Sequence, residues 1–155
     1  MPKLIKDGAI VENDGWLPMD PEGTAPRVQH ILSLEQWMTL DAKTNSAVQL
    51  EPGQPPAPLL EHLNELALVA VNFPAFTDGR GFSYARELRE KGFKGELRAV
   101  GGFIRDQMHY LHRCGFNAFA LADDSELEGA LSALNEFSEH YQAATDEPAP
   151  LFRRR

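Results

Sequence analysis

The apolar run Leu66-Ala67-Leu68-Val69-Ala70-Val71 leads through Asn72-Phe73-Pro74-Ala75-Phe76 into the glycine-rich stretch Thr77-Asp78-Gly79-Arg80-Gly81. A helical pattern follows, then Glu96-Leu97-Arg98-Ala99-Val100, then Gly101-Gly102, a second helical pattern, and the run Phe116-Asn117-Ala118-Phe119-Ala120-Leu121. Short buried runs that alternate with amphipathic segments are the signature of βαβ units, whose parallel sheet is buried on both faces. Upstream, Ser46-Ala47-Val48-Gln49-Leu50 reads as a first parallel strand, ended by Glu51-Pro52-Gly53. The pattern therefore predicts a single α/β domain of about four mainly parallel strands alternating with helices, at residues 46–50, 66–72, 96–100 and 116–121.

Ser33 and Gln36 stand at capping-box spacing, which predicts a helix from there to about Ala42 with Leu34, Trp37, Met38 and Leu40 on its apolar side. Pro55, Pro56 and Pro58 stiffen the next segment, and Leu59, Leu60, Leu63 and Leu66 suggest a short helix into the central strand. Phe82, Ala85 and Leu88 mark a helix that stops at Lys91-Gly92, and Ile104, Met108 and Leu111 mark one that stops at Cys114-Gly115. Both stops have glycine where a left-handed cap is expected. A last helix should begin at Asp124 or Ser125, where Ser125 and Glu128 form a capping box, and bury Leu127, Ala130, Leu131, Leu134, Phe137 and Tyr141. At the other end, Asp7-Gly8 and Asn13-Asp14-Gly15 flank Ala9-Ile10-Val11 as turn signals, so a small N-terminal hairpin is expected, pinned by surface packing of Trp16. Residues 1–27 thus read as hairpin and proline-rich linker, 28–144 as the α/β domain, and 145–155 as a tail.

The 155 residues suffice for one domain with a real core, and 43% apolar with 25% charged residues is the balance of a soluble globular protein. The longest apolar runs fall far short of the roughly 18 residues of a membrane span, and Met1-Pro2-Lys3-Leu4-Ile5-Lys6 lacks a signal-peptide core, so a cytoplasmic protein is expected. Cys114 is the only cysteine, which excludes an intramolecular disulfide and a cysteine-ligated cluster or zinc site within one chain. The net charge of −8 argues against nonspecific nucleic-acid binding, although Arg80, Arg86, Arg89, Lys91, Lys94, Arg98, Arg105 and Arg113 gather between residues 80 and 113.

Chemistry is expected where polar and glycine-rich loops follow the strands, because ligands of open parallel sheets bind outside the carboxyl ends. In Thr77-Asp78-Gly79-Arg80-Gly81 two glycines let the backbone approach a ligand, Arg80 can chelate an oxyanion, and the following helix presents free N–H groups. A tight turn in which Asp78 caps the helix explains the same residues structurally. Arg98 lies inside a strand and needs a partner, either Glu96 or Asp78, or else the anion site itself. Gly101-Gly102 before Arg105-Asp106 repeats the strand, glycine, helix arrangement, with both charges either lining the cleft or solvated. His109 and His112 at i, i+3 have no further ligand at recognisable spacing, so no metal is expected, and Cys114 reads as a buried inert thiol.

Phe73-Pro74-Ala75-Phe76-Thr77-Asp78-Gly79-Arg80-Gly81, Gly95-Glu96-Leu97-Arg98-Ala99-Val100-Gly101, Arg105-Asp106-Gln107 and Arg113-Cys114-Gly115-Phe116 together resemble the bacterial DUF934 family, over about residues 30 to 122. The resemblance implies a protein encoded beside sulfite reductase and named, from that setting, a probable oxidoreductase involved in sulfite reduction. One departure is Gly102, where the family commonly has an acidic residue. The residues themselves carry no thiolates for a cluster, and Gly79-x-Gly81 reaches Tyr84 where a dinucleotide fingerprint needs its third glycine. No cofactor is therefore expected, with a flavin held without a motif left open. The combined reading is an accessory protein of assimilatory sulfite reduction, with an oxyanion-binding set of Thr77, Asp78, Gly79, Arg80, Gly81, Arg98, Gly101, Arg105 and Asp106. Its alternatives are an enzyme acting on a small sulfur oxyanion or phosphorylated metabolite, and a non-catalytic module that docks the sulfite reductase haemoprotein.

Overall fold

A computed structural model describes residues 4–12, 15–19, 29–74, 80–101, 107–121 and 127–138. In chain order the elements are β1 (Leu4–Lys6), β2 (Ala9–Val11), β3 (Leu32–Ser33), α1 (Leu34–Met38), β4 (Ser46–Leu50), a 3-10 helix (Ala57–His62), β5 (Leu66–Phe73), α2 (Arg80–Glu90), β6 (Glu96–Gly101), α3 (Met108–Cys114), β7 (Ala118–Leu121) and α4 (Leu127–Ser138). The strands form one seven-stranded sheet in the order β2-β1-β7-β6-β5-β4-β3. The four parallel strands expected from sequence are β4 to β7. Two additions raise the count. β3 joins β4 in parallel through two residues, too few to show as an alternating pattern. The hairpin does not stand apart: β1 pairs antiparallel with β7, Ile5 opposite Phe119, and the Asp7 N–H donates to the Asn117 carbonyl at 2.9 Å. Its turn places Asp7 at φ 52 and Gly8 at φ 83, the left-handed pair that matches the twist of two-residue hairpins.

The parallel strands run in sequence order without a reversal, so each crossover of the same hand returns on the same side of the sheet. Alternate residues of the strands show this directly. Val48, Leu50, Val69, Val71, Leu97, Ala99 and Phe119 share one large core with residues of all four α-helices, such as Trp37, Leu88, Leu111 and Leu127. The second face holds a smaller cluster, Ile31, Ala47, Leu68 and Ala70, against which Trp16 and Val100 pack. Both faces are buried, as a parallel sheet requires, but the described helices cover only one. Trp16 has the packing role expected of it, on the second face.

Ser33 and Gln36 form the capping box: the Ser33 Oγ accepts from the Gln36 N–H at 3.2 Å, and the Gln36 Oε1 accepts from the Ser33 N–H at 3.0 Å. The helix ends at Met38 rather than near Ala42, because the Thr39 hydroxyl donates to the Gln36 carbonyl at 2.7 Å and competes with the next turn. Met38, the last residue of the helix, is 56% exposed instead of facing the core. Gly92 at φ 102 and Gly115 at φ 117 end α2 and α3 in the left-handed conformation. Leu127, Ala130 and Leu134 of α4 are buried. The Asn13-Asp14 turn, Ile104, the Asp124 or Ser125 helix start, the Phe137 side chain, Tyr141, most of the linker and the tail lie outside the described residues.

Candidate functional site at the carboxyl edge

β5 and β6 are parallel neighbours, Phe73 opposite Gly101, so the loops after them leave the sheet side by side. Thr77, Asp78 and Gly79 of the first loop, and Gly102, Arg105 and Asp106 of the second, lie outside the described residues. Arg80, Gly81, Arg98 and Gly101 can be placed.

Arg80 opens α2 and is exposed. Its guanidinium reaches across the edge to the loop after β4, where a Cβ on Gly53 would stand 3.8 Å from Nη1. One turn on, the Tyr84 hydroxyl accepts from the Gly53 N–H at 3.0 Å, so Arg80 and Tyr84 at i, i+4 share the side of α2 that faces this loop, and Tyr84 ties the helix to it. Gly81 is buried because a Cβ there would come within 2.6 Å of the Phe73 ring and 2.8 Å of Val71 Cγ1. Glycine thus lets the helix start press against the end of β5. Gly101 has φ 102, and a Cβ there would collide with the Asn72 side-chain oxygen and stand 2.6 Å from the Phe73 carbonyl oxygen. Both glycines are needed for packing, with or without a ligand.

Arg98 is 4% exposed and is drawn away from this edge. Its Nε and Nη2 both reach Glu96 Oε2, at 2.7 and 2.6 Å, two residues toward the amino end of β6. Lys6 takes the other oxygen of Glu96 at 2.8 Å. The neighbours of Arg98 across the sheet are Ala70 and Ala118, small enough for a long side chain to lie over the second face. Glu96 is thus a partner of Arg98, as expected from the sequence, and Asp78 lies outside the described residues.

The same edge carries polar residues that the spacing of motifs did not single out. The Glu51 carboxylate, just beyond β4, accepts from Gln49 Nε2 at 2.7 Å through one oxygen and from Asn72 Nδ2 at 2.7 Å through the other. Asn72 interrupts the apolar run of β5 on the face of Leu68 and Ala70, which is the signal that could have found it. On the helical face an aromatic series climbs from the core to the surface. Phe116 meets Phe73 at 5.8 Å, Phe73 meets Phe82 at 5.2 Å, and Phe82 meets Tyr110 at 4.9 Å between ring centroids. Tyr110 is 44% exposed.

Among the described residues no group of three or more His, Cys, Asp or Glu side chains could hold a metal ion. Cys114 is fully buried in the main core. No helix of the described residues is long and apolar enough to cross a membrane. No curated protein shows a detectable match to the chain. The family model for DUF934, described as a bacterial protein of unknown function, matches residues 47–152, from β4 through the whole of the candidate edge and α4. The chain is thus a member of the DUF934 family.

Proposed function

We propose that the protein is an accessory of assimilatory sulfite reduction that holds a small oxyanion at the carboxyl edge of its sheet. The observation that carries this reading is Arg80, exposed at the start of α2 with its guanidinium held against the β4 loop at Gly53. A guanidinium next to the N-terminal turn of an eleven-residue helix combines a fixed fork of donors with the favourable end of the helix dipole. In barrels wound on one side like this sheet, ligands also bind over the carboxyl ends of the strands. Thr77, Asp78, Gly79, Arg105 and Asp106 belong to the two loops that would complete the site. Glu51 stands on the same edge, so an anion that keeps a proton suits it better than one that is fully ionised. Hydrogen sulfite and hydrogen phosphate are therefore the preferred ligands, with sulfate weaker. Calorimetric titration of the wild type and Arg80→Ala with sulfite, phosphate and sulfate tests this. A charged hydrogen bond is worth about 1.5 to 3 kcal/mol, so Arg80→Ala should weaken binding roughly tenfold or more. Absence of binding at millimolar sulfite or phosphate, or equal binding by both proteins, would refute it.

Tyr110 favours a second reading, a module that docks the sulfite reductase haemoprotein. An exposed ring backed by Phe82 and Phe73 is the rigid aromatic anchor that interfaces use. Loss of haemoprotein capture in Tyr110→Ala, with anion binding unchanged, would select it.

A further inference from the structure

A cleft of about 530 Å³ opens at the opposite, amino edge of the sheet, where Leu32 begins β3 and Ser46 begins β4. Its size is that of an ordinary small-molecule pocket. Trp16, Leu40 and Ala47 supply apolar wall, while Gln29, His30 and Asn45 supply polar groups. The described lining includes no Asp, Glu, Lys or Arg. Lys43, in the middle of the lining loop, is turned aside: its Nζ donates to the Leu40 carbonyl at 2.8 Å and lies 5.0 Å from the Trp37 ring centre.

Two further observations set this cleft apart from a surface dent. Gln29 at φ 64 and Asn45 at φ 56 both border it, and they are two of the three non-glycine residues with left-handed backbone among those described. Each is held there by backbone hydrogen bonds: the Gln29 carbonyl accepts from Leu17 at 2.7 Å, and the Asn45 N–H donates to Glu65 at 2.7 Å. Strained residues kept in place by their surroundings gather at ligand sites. The second observation is His30, whose Nδ1 is buried without a hydrogen-bond partner. That is a cost which turning the ring toward a donor or acceptor in the cleft would remove.

We propose that this cleft binds an uncharged, flat heteroaromatic small molecule, which stacks against Trp16 and presents its hydrogen-bonding edge to His30 and the two amides. The described lining residues carry no charged side chain, so they offer an ionised ligand nothing to compensate its lost hydration. The site is separate from the oxyanion edge and does not depend on it.

The probe is benzimidazole, neutral above its own pKa and carrying one donor and one acceptor, titrated into the full chain at neutral pH and followed by amide and indole N–H shifts. Saturable shifts are expected at the Trp16 indole and the Asn45 and Ala47 amides, with Asn72 at the far edge unmoved. Benzoate, a charged ring of similar size, should bind at least about fivefold more weakly. Ala42→Trp, which fills the mouth of the cleft from an exposed position, should weaken benzimidazole by about fivefold or more. If that variant loses its native circular dichroism, Thr44→Trp takes its place, and the wild-type titration stands by itself. No saturation below about 10 mM, equal affinity for benzoate, or unchanged binding by the filled variant would each overturn the proposal.

Discussion

Arg98 and Glu96 lie two residues apart on one strand and share a face, so the guanidinium can fold back along β6 and hold one carboxylate oxygen through two of its nitrogens, at 2.7 and 2.6 Å. Both are buried, at 4% and 7% exposure, in a sheet whose other strand residues are mostly apolar. The pair is tied to the N-terminal hairpin through Lys6, which joins Glu96 from β1 across β7. A charge inside a parallel strand is thereby neutralised within its own element and used to fasten the edge of the sheet.

Removal of either partner should be unequal. Glu96→Ala takes the carboxylate from both Arg98 and Lys6 and should cost about 3 to 5 kcal/mol. Arg98→Met leaves Glu96 its Lys6 partner and should cost clearly less. Urea denaturation of both variants decides this, and equal losses would show that Lys6 contributes nothing.

The proposed anion site rests on Arg80, whereas Arg98 is engaged by Glu96 on its own strand. Arg98→Met should leave phosphate affinity within about twofold of wild type, whereas Arg80→Ala weakens it about tenfold. A comparable loss in both, measured by calorimetry on variants checked for folding, would show that Arg98 belongs to the anion site as well.

Gly101 and Gly92 share φ 102 but differ in surroundings. A methyl group at Gly92 meets nothing within 4 Å, so Gly92→Ala carries only the backbone strain, about 1 kcal/mol. At Gly101 the same methyl runs into Asn72 and the Phe73 backbone, and the loss should be larger by roughly 1 to 3 kcal/mol. Thermal melts showing equal losses would mean that the end of β5 yields freely.

Arg89 stitches the amino edge. Its Nε donates to the Gly115 carbonyl at 2.9 Å, and its Nη1 donates to the Phe93 and Gly95 carbonyls, each at 2.9 Å. Burial pushes its pKa below the ordinary arginine value, an effect that the charge of Asp7 partly opposes. Arg89→Met should cost about 2 to 4 kcal/mol, and Arg89→Lys should recover little because one ammonium cannot reach three carbonyls in this planar arrangement. Full rescue by lysine in chemical denaturation would show that charge, not geometry, is what the site needs.

Much of the architecture was legible in the chain because it rests on local rules. Short, mainly apolar runs at residues 46–50, 66–72, 96–100 and 116–121, alternating with amphipathic segments, read as strands buried on both faces, and Gly92 and Gly115 end their helices for a steric reason that belongs to one residue. The Ser33–Gln36 box is likewise an interaction over three positions. Pairings between distant segments were not legible. Nothing in Leu4-Ile5-Lys6 says that it will lie beside Ala118 and Phe119, because a hairpin added to a sheet takes the place that the rest of the sheet leaves open. The same holds for Glu51 with Asn72, for Lys6 with Glu96, and for the cleft shared by Trp16, His30 and Asn45. Each joins residues that are 21 or more positions apart, or lies where several loops meet, and only the order of strands in the finished sheet brings them together.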